Sequence, residues 1–316
     1  MSLSTAATPT IKAAIASCGD GGTIVIPADT TYSLRTMLDF TGCSGCDFQL
    51  EGTLKSSTNT TNWTAQPGII YLNKISGVKI RSLTGLGVID GNGQTAYDIF
   101  AVDESLARPI VAYIVDGSSV ITISGSTVKN PRIVFFRQKG AVRNINYARL
   151  TMMAQSKSIN LPKNTDGFSI GKSTYTTIRD VYISNQDDYI KFKSSVNYVT
   201  IERATCAKNV YVKDLTMINC GKAAGIKMYP GLSYYGTSTI TNVSWDSVTV
   251  EDCDYGCAAK LSAAQLTDIR FIDFQGVTNA RRAPVVANLN CPPAGVCDLT
   301  FSVGRWHAQR RGRNSV

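Results

Sequence analysis

The stretch Asn164–Lys193, NTDGFSIGKSTYTTIRDVYISNQDDYIKFK, carries a short polar motif at each end. Asp166 lies in Asn-Thr-Asp-Gly, and the adjacent pair Asp187 and Asp188 lies in Asn-Gln-Asp-Asp, 21 residues later. Such a separation brings two motifs together when the chain coils in turns of about twenty residues that stack on one another. The stretch therefore predicts a solenoid in which three carboxylates converge on one wall.

The rest of the chain repeats one pattern, a short alternating strand followed by a polar turn. Examples are SSVITISGSTVKN (118–130), VRNINYARLTMMA (142–154) and TNVSWDSVTVEDC (241–253). No segment between them is typical of a long helix, which disfavours a βαβ sheet. Two-residue hairpin signals are sparse, which disfavours the alternative of a β-sandwich. We predict an all-β fold, a single-stranded right-handed parallel β-helix.

The two ends of the chain differ from this pattern. Residues 8–18 place Ile11, Ala14 and Ile15 at helical spacing, which predicts a short amphipathic helix that caps the coil. GGTIVIPAD (21–29) follows and is predicted to be a buried strand. We predict one domain over residues 1–302 and a basic, disordered tail over residues 303–316.

The spacing of the strands has one irregularity. Val199 and Val210 open successive strands but are only 11 residues apart, whereas Val243 and Ile269 are 26 apart. Eleven residues are about half a turn. Either the coil is interrupted after Val199 or part of a turn is missing there.

The composition restricts the class of partner. The 316 residues carry a net charge of +9, which suits an acidic polymer, either a nucleic acid or a uronate polysaccharide. No basic patch interleaved with aromatic residues matches a nucleic-acid motif. No apolar run is long enough to span a bilayer. We predict a monomer that acts on an acidic polysaccharide, without nucleic-acid or membrane partners.

The cysteines and sequons favour an extracellular protein. Nine cysteines with a single histidine, His307, disfavour a zinc site, and their odd number leaves at least one thiol unpaired. The disulfide candidates are Cys18, Cys46, Cys291 and Cys297. The glycosylation candidates are Asn59, Asn62 and Asn242. We predict secretion, although the first residues lack the features of a signal peptide.

Clustered carboxylates beside amide side chains suit acid/base hydrolysis of a glycosidic bond. The motifs NTDGFSIG, NQDDYIKFK and AAGIKMYPG, in that order, resemble the polygalacturonase family of pectin-cleaving glycoside hydrolases. CGDGGTIVIPA, GVIDGNG and PVVANLNCPPAGVCDLTF are similar to the same family. The resemblance covers residues 8–302, and its motifs resemble those of the fungal endo-xylogalacturonan hydrolases.

The resemblance implies a role for each acidic residue. Asp187 matches the general acid, whose pKa the neighbouring carboxylates are expected to raise. Asp166 and Asp188 match the residues that hold and activate water. The implied reaction is a single, inverting displacement on an α-1,4-linked galacturonan backbone, xylose-substituted, with no metal or cofactor.

Residues around the carboxylates receive supporting roles. Lys227 matches the lysine that pairs with the substrate's uronate, and Asn164 and Gln186 are expected to orient the carboxylates. Lys191 and Lys193 share strand parity with Asp187. They either bring positive charge to the site or lie on the solvent face.

The sequence departs from the family in one motif. The family has Gly-His-Gly about twenty residues after the aspartate pair, but here Cys206 is followed by AKNVYVKDLTM. This position coincides with the 11-residue spacing, so we predict a deletion after Cys206. Two alternatives stay open: an impaired family member that binds pectin without cleaving it, and a pectate-lyase-like eliminase whose carboxylates hold Ca²⁺.

Overall fold

The computed structural model describes residues 7–185, 187–192, 196–202, 210–218, 224–227, 238–253, 257–260, 264–278, 287–290 and 296–308. The chain divides into two compact units, Met1–Asn197 and Tyr198–Val316. Each unit consists of stacked parallel strands, which confirms the predicted fold class. The single domain predicted for residues 1–302 stays a prediction, and the units are described separately.

The described residues of the first unit form two α-helices, Thr8–Cys18 (α1) and Gln94–Phe100 (α2), and a 3₁₀ turn at Thr60–Trp63. The strands that begin in this unit are Thr23–Ile26 (β1), Thr31–Leu34 (β2), Leu38–Asp39 (β3), Asp47–Leu50 (β4), Thr53–Ser56 (β5), Gly68–Asn73 (β6), Lys79–Arg81 (β7), Val88–Asp90 (β8), Ile110–Val115 (β9), Ser119–Ser124 (β10), Thr127–Lys129 (β11), Phe136–Lys139 (β12), Val142–Met153 (β13), Phe168–Ile170 (β14), Ser173–Ser184 (β15), Ile190–Phe192 (β16) and Val196–Glu202 (β17).

Two parallel sheets organise this unit. The long sheet has the order β1-β4-β7-β10-β13-β15, and β2, β5, β8 and β11 extend it alongside. The site sheet has the order β16-β14-β12-β9-β6-β3. Each turn of the chain contributes to both sheets, so neighbouring strands belong to successive turns.

The core consists of files of apolar side chains that run from turn to turn. In the long sheet, Phe48, Ile80, Ile123, Tyr147 and Ile178 are paired in register across five strands and are all buried. Since side chains alternate between the faces of a strand, an in-phase register places every member of the file on the same inner face.

Strand bends also recur in register. Gly125, Arg149 and Asp180 have φ angles of 72°, 51° and 54° and occupy equivalent positions on β10–β11, β13 and β15. The left-handed region costs a residue with a side chain about 1 kcal/mol. At Gly125 a Cβ would also lie 2.4 Å from the carbonyl oxygen of Ser82. These bends divide the long sheet into two arms that meet at a corner.

The N-terminal helix is confirmed with its predicted limits, and Ile11 and Ile15 are buried while Ala14 is half-buried. The helix packs against β1, β2 and β3. The prediction of a buried β1 strand is wrong for one face, because Val25 is 53% exposed. Its outer face meets solvent, as the alternation of a one-sided strand requires.

The disulfide predictions are confirmed in part. Cys46 is bonded, but its partner is Cys43, with the Cα atoms 5.5 Å apart. Cys18 is a free thiol, so its predicted disulfide is wrong. The turn between Cys43 and Cys46 already places these two residues within bonding reach. Cys297 is disulfide-bonded, and Cys291 lies outside the described residues.

The second unit contains the strands that follow β17. They are Val210–Ile218 (β18), Ala224–Lys227 (β19), Ser238–Cys253 (β20), Cys257–Lys260 (β21), Ala264–Thr278 (β22), Ala287–Asn290 (β23) and Val296–Ala308 (β24). One sheet runs β17-β18-β20-β22-β24, and another runs β19-β21-β23. Because β24 pairs with β22 as far as Ala308, residues 303–308 form a strand and not the predicted disordered tail. Residues 309–316 lie outside the described part.

The short spacing between β17 and β18 is confirmed. Ile201 pairs with Val212 in parallel, an offset of 11 residues, whereas the offset is 33 between β18 and β20 and 26 between β20 and β22. A parallel crossover normally needs a dozen or more residues. The two strands are adjacent, so the coil continues in this sheet. Seven residues, 203–209, separate the two strands in the sequence, and they, with Cys206 among them, lie outside the described residues.

The remaining surface predictions are not decided. Asn59 is exposed and its Oδ1 accepts a hydrogen bond from the Thr61 backbone N–H, while Asn62 is half-buried in the 3₁₀ turn. Asn242 lies in β20. All three stay glycosylation predictions. Within the described ranges, no helix combines the length and the apolar character needed to cross a bilayer.

We predict that Phe168→Ala lowers the free energy of unfolding by about 3–5 kcal/mol, because it removes a fully buried ring. Phe168 stacks on Phe136 at 5.3 Å and lies 4.9 Å from the ring of Tyr147. Urea unfolding followed by circular dichroism measures the loss. Ile159→Ala, at a side chain that is 96% exposed, is the control and should stay within about 0.5 kcal/mol. Equal effects of the two variants would contradict the core assignment.

Candidate active site

The three predicted carboxylates do converge. One oxygen each of Asp166, Asp187 and Asp188 lies within 4.8 Å of the other two. Asp166 stands just before β14, and the pair stands just before β16. These strands are neighbours, with Phe168 paired to Ile190, so the motifs occupy equivalent positions on successive turns.

Close backbone contact holds the two motifs together. Gly167 donates its N–H to the carbonyl of Asp188 at 2.9 Å. A Cβ at Gly167 would lie 2.4 Å from the carbonyl oxygen of Tyr189, so this position requires glycine. The buried side chain of Asn185 donates to the carbonyl of Thr165 at 2.5 Å. The sequence motifs did not indicate this role for Asn185, although it is the first residue of the Asn-Gln-Asp-Asp motif.

Two backbone N–H groups orient Asp187. Its Oδ2 accepts a hydrogen bond from Asn164 and its Oδ1 accepts one from Asp188, both at 2.9 Å. Asn164 therefore positions the carboxylate, as predicted, but through its main chain. Its φ of 62° is a left-handed conformation that asparagine tolerates better than most residues.

Arg108 is a supporting residue that no sequence motif indicated. Its Nη2 donates to the side-chain oxygen of Asn164 at 2.9 Å, and its Nη1 donates to the carbonyl of Lys163 at 2.8 Å. The guanidinium lies 3.5 Å from the ring centroid of Phe100. Burial lowers the pKa of Arg108 to about 10, although nearby Asp187 favours its charged form. Arg108 thus fixes the loop that holds Asp187.

Lys191 reaches the centre of the carboxylate cluster. Its Nζ lies 3.0 Å from both side-chain oxygens of Asp166 and 3.2 Å from Oδ2 of Asp188. Of the two placements that the sequence left open, the structure shows the one in the site. Burial by itself lowers the pKa of Lys191, but the carboxylates of Asp166 and Asp188 outweigh it, and the net shift is upward.

The raised carboxyl pKa belongs to Asp166. Burial raises it most, Lys191 opposes the shift, and Asp187 and Asp188 add to it, which brings the pKa of Asp166 to about 6. The sequence predicted that carboxylate neighbours would place a raised pKa on Asp187. At Asp166 the main cause is the removal of the side chain from water, and the neighbouring carboxylates contribute less.

Two predicted substrate-binding residues are not tested. Gln186 and the side chain of Lys227 lie outside the described part, although β19 contains the backbone of Lys227. Lys193 also lies outside the described residues. Their roles stay predictions.

The acidic cluster has the donor type that binds divalent cations. Ca²⁺ takes six to eight oxygen ligands, whereas this cluster offers three carboxylates, two of which already contact the ammonium of Lys191. The lysine supplies the positive charge that a metal ion would otherwise bring. The donor set therefore fits an ion-paired acid/base site better than a Ca²⁺ site.

We predict that Lys191→Met raises the pKa of Asp166 further, because a cation that favours the carboxylate is removed. The limb of the pH–rate profile that reports Asp166 should move upward by about 0.5–1 pH unit, a range that allows for the partial exposure of Lys191. The measurement is kcat/KM against pH. Lys55→Met removes an exposed lysine from β5 and should leave the profile in place. An unshifted Lys191→Met profile would show that the ion pair does not control the titration.

Comparison with known proteins identifies the family. Residues 18–298 match the family model for Glycosyl hydrolases family 28. Probable endo-xylogalacturonan hydrolase A of Aspergillus flavus is 46% identical, over 95% of this chain and 82% of that protein. That alignment spans 332 positions, although 95% of 316 residues is about 300. The relative therefore has about 30 positions without a counterpart here.

Comparison with solved structures supports the same family and fold. The crystal structure of endo-xylogalacturonan hydrolase from Aspergillus tubingensis matches with a TM-score of 0.91 and 43% identity, over 97% of this chain and 91% of that chain. Polygalacturonase from Erwinia carotovora ssp. carotovora shares the fold, a right-handed parallel β-helix, at a TM-score of 0.70 and 16% identity, over 97% of this chain and 94% of that chain. The chain belongs to glycosyl hydrolases family 28.

Proposed function

We propose that this protein hydrolyses the α-1,4-linked galacturonan backbone of pectin in its xylose-substituted form, xylogalacturonan. The observation that carries the proposal is the cluster of Asp166, Asp187 and Asp188 around the ammonium of Lys191. The substrate class is supported by relatives of 43–46% identity that are named endo-xylogalacturonan hydrolases. The net charge of +9 suits an acidic substrate.

The reaction divides between the carboxyl groups. Asp187, oriented by two N–H groups, donates a proton to the glycosidic oxygen as the bond from that oxygen to the anomeric carbon breaks. Water held by Asp166 and Asp188 attacks the anomeric carbon and gives its proton to a carboxylate. The products are a new reducing end and a new hydroxyl group. Below about pH 6 Asp166 retains a proton, so in this proposal Asp188 accepts the proton of the attacking water.

Lys191 has an electrostatic role in this proposal. Three ionised carboxylates repel a uronate substrate, and both the ammonium and the proton retained near Asp166 reduce that repulsion. The family's Gly-His-Gly motif is absent from the sequence, so its histidine cannot bring positive charge to the site. Lys191 supplies a positive charge within the same cluster.

The alternatives are less well supported. The 11-residue offset after β17 favours an impaired, pectin-binding protein, but the relatives' names do not support a loss of activity. The lysine among the carboxylates disfavours the Ca²⁺-dependent eliminase. The partner remains an acidic polysaccharide, and the two disulfide-bonded sites agree with secretion. The monomeric state and Lys227 as the uronate anchor are part of the same proposal.

We predict that Asp187→Asn lowers turnover on xylogalacturonan by about 10²–10⁴-fold, because the amide cannot donate the catalytic proton. A reducing-end assay near pH 4–5 on xylogalacturonan and polygalacturonate measures it. Asp20→Asn, at an exposed position, is the matched control. Parental turnover in Asp187→Asn would refute the assignment. A folded parent that binds oligomers in calorimetry without cleaving them would favour the impaired protein.

We predict inversion at the anomeric carbon. The carboxyl groups of inverting glycosidases usually lie about 6.5–9.5 Å apart, and the nearest oxygens here are closer, within 4.8 Å. Yet both oxygens of Asp187 accept backbone hydrogen bonds, and both oxygens of Asp166 contact Lys191. These contacts lower the nucleophilicity of both groups, and the proposal assigns Asp166 and Asp188 to the attacking water, so no covalent intermediate is expected. Proton NMR of fresh product should show the β-anomer first, and the α-anomer first would indicate a covalent intermediate.

A further inference from the structure

We propose that the first unit carries a second carbohydrate site, a groove that binds the uronate groups of an acidic polysaccharide away from the catalytic carboxylates. The choice of ligand rests on the proposed function. The corner groove, as we call it, lies where the two arms of the long sheet meet and has a volume of about 570 Å³. This volume is in the range of sites that hold ligands of a few rings.

A file of paired residues explains the shape of the groove. Arg81, Ser124, Ala148 and Arg179 are paired in register on β7, β10, β13 and β15. The two central side chains are small and buried, so the file has a long cationic side chain at each end and a depression between them. Adjacent strands are about 4.8 Å apart, which separates the backbones of the two arginines by roughly 14 Å.

The groove is positively charged. Lys79, Arg81, Arg149 and Arg179 line it, and none of its lining residues is acidic. Arg81 is neutralised by Asp47, with Nη2 and Oδ2 2.6 Å apart. Among the described residues, no carboxylate lies within 4.0 Å of the cationic nitrogens of Lys79, Arg149 or Arg179. Three cations are therefore available to an anionic ligand.

Glu51 lies beside the turn of Ser82 and Leu83 that lines one end of the groove, and its carboxylate is already engaged. Glu51 accepts hydrogen bonds from the backbone N–H groups of Leu83 and Thr84 and from the hydroxyl of Ser82. It thus orders the turn that forms one rim and does not pair with the free cations. Asp47 and Glu51 are both engaged and no lining residue is acidic, so the lining keeps a net positive charge.

The neutral part of the lining suits a carbohydrate. Ser82, Ser124 and Ser126 are buried at the base, and Thr127 and Thr151 stand at the side. Hydroxyl groups are both donors and acceptors, which matches the hydroxyl groups of a sugar. No aromatic side chain lines the groove, whereas single-stranded nucleic acid sites use aromatic rings for base stacking.

The groove is separate from the carboxylate cluster. It lies on the long sheet, and its lining shares no residue with the cluster of Asp166, Asp187, Asp188 and Lys191. A polymer held at both places is bound bivalently, which raises its effective concentration at the catalytic carboxylates. The expected benefit is therefore confined to substrates long enough to reach both sites.

The test uses calorimetric titration of the full chain carrying Asp187→Asn, with a galacturonate oligomer as the probe. We expect about two oligomers bound per chain, and one after the further changes Arg149→Ala and Arg179→Ala. The control pair, Lys139→Ala with Arg143→Ala, removes the same charge from exposed positions outside the groove and should retain both bound oligomers.

In the catalytically intact chain, Arg149→Ala with Arg179→Ala should raise KM for long xylogalacturonan about tenfold, given two exposed charge pairs. Turnover of short oligomers should be unchanged.

Each result is decisive. One oligomer per chain, unchanged by the arginine variants, would refute the groove even if the protein cleaves pectin. Loss of a binding event in a protein that cleaves nothing would support the groove and refute the proposed function. Methyl-esterified oligomers should not bind the groove. Duplex DNA that competes equally well for it would overturn the carbohydrate assignment and indicate a general polyanion surface.

Discussion

The structure depends on the parallel register between successive turns. Backbone hydrogen bonds between neighbouring strands place equivalent residues of each turn one above another, and every other feature follows from this alignment. The buried file from Phe48 to Ile178 and the ring stack of Phe136 on Phe168 exist because the register stays in phase. A shift of one residue would turn these side chains outward and expose the core.

The same alignment assembles the carboxylates and creates an electrostatic problem. Asp166 and the pair at 187–188 become neighbours because β14 and β16 are adjacent, and their charges then repel one another. Lys191 lies on β16 and reduces that repulsion from within the cluster. Burial raises the pKa of Asp166 to about 6, so below that pH a proton also reduces the negative charge of the site.

The strand bends have a comparable effect on the outer surface. Left-handed residues at Gly125, Arg149 and Asp180 recur in register, so a local bend becomes a continuous corner along the unit. Small residues at Ser124 and Ala148 keep this corner open. Because the turns repeat in register, a conformation adopted by one residue in each turn forms a continuous feature of the surface. For the same reason the 11-residue offset between β17 and β18 is a clear exception to the repeat.

Periodicity and spacing were enough to predict the fold class, the N-terminal helix, the convergence of the three aspartates and the short spacing after β17. Packing was needed to show that Cys43 bonds Cys46, that Arg108 supports the Asp187 loop, and that Lys191 faces the cluster. These contacts join side chains whose approach depends on exact turn shape. The location of the raised pKa was likewise undetermined, because burial, unlike spacing, is a property of the packed molecule.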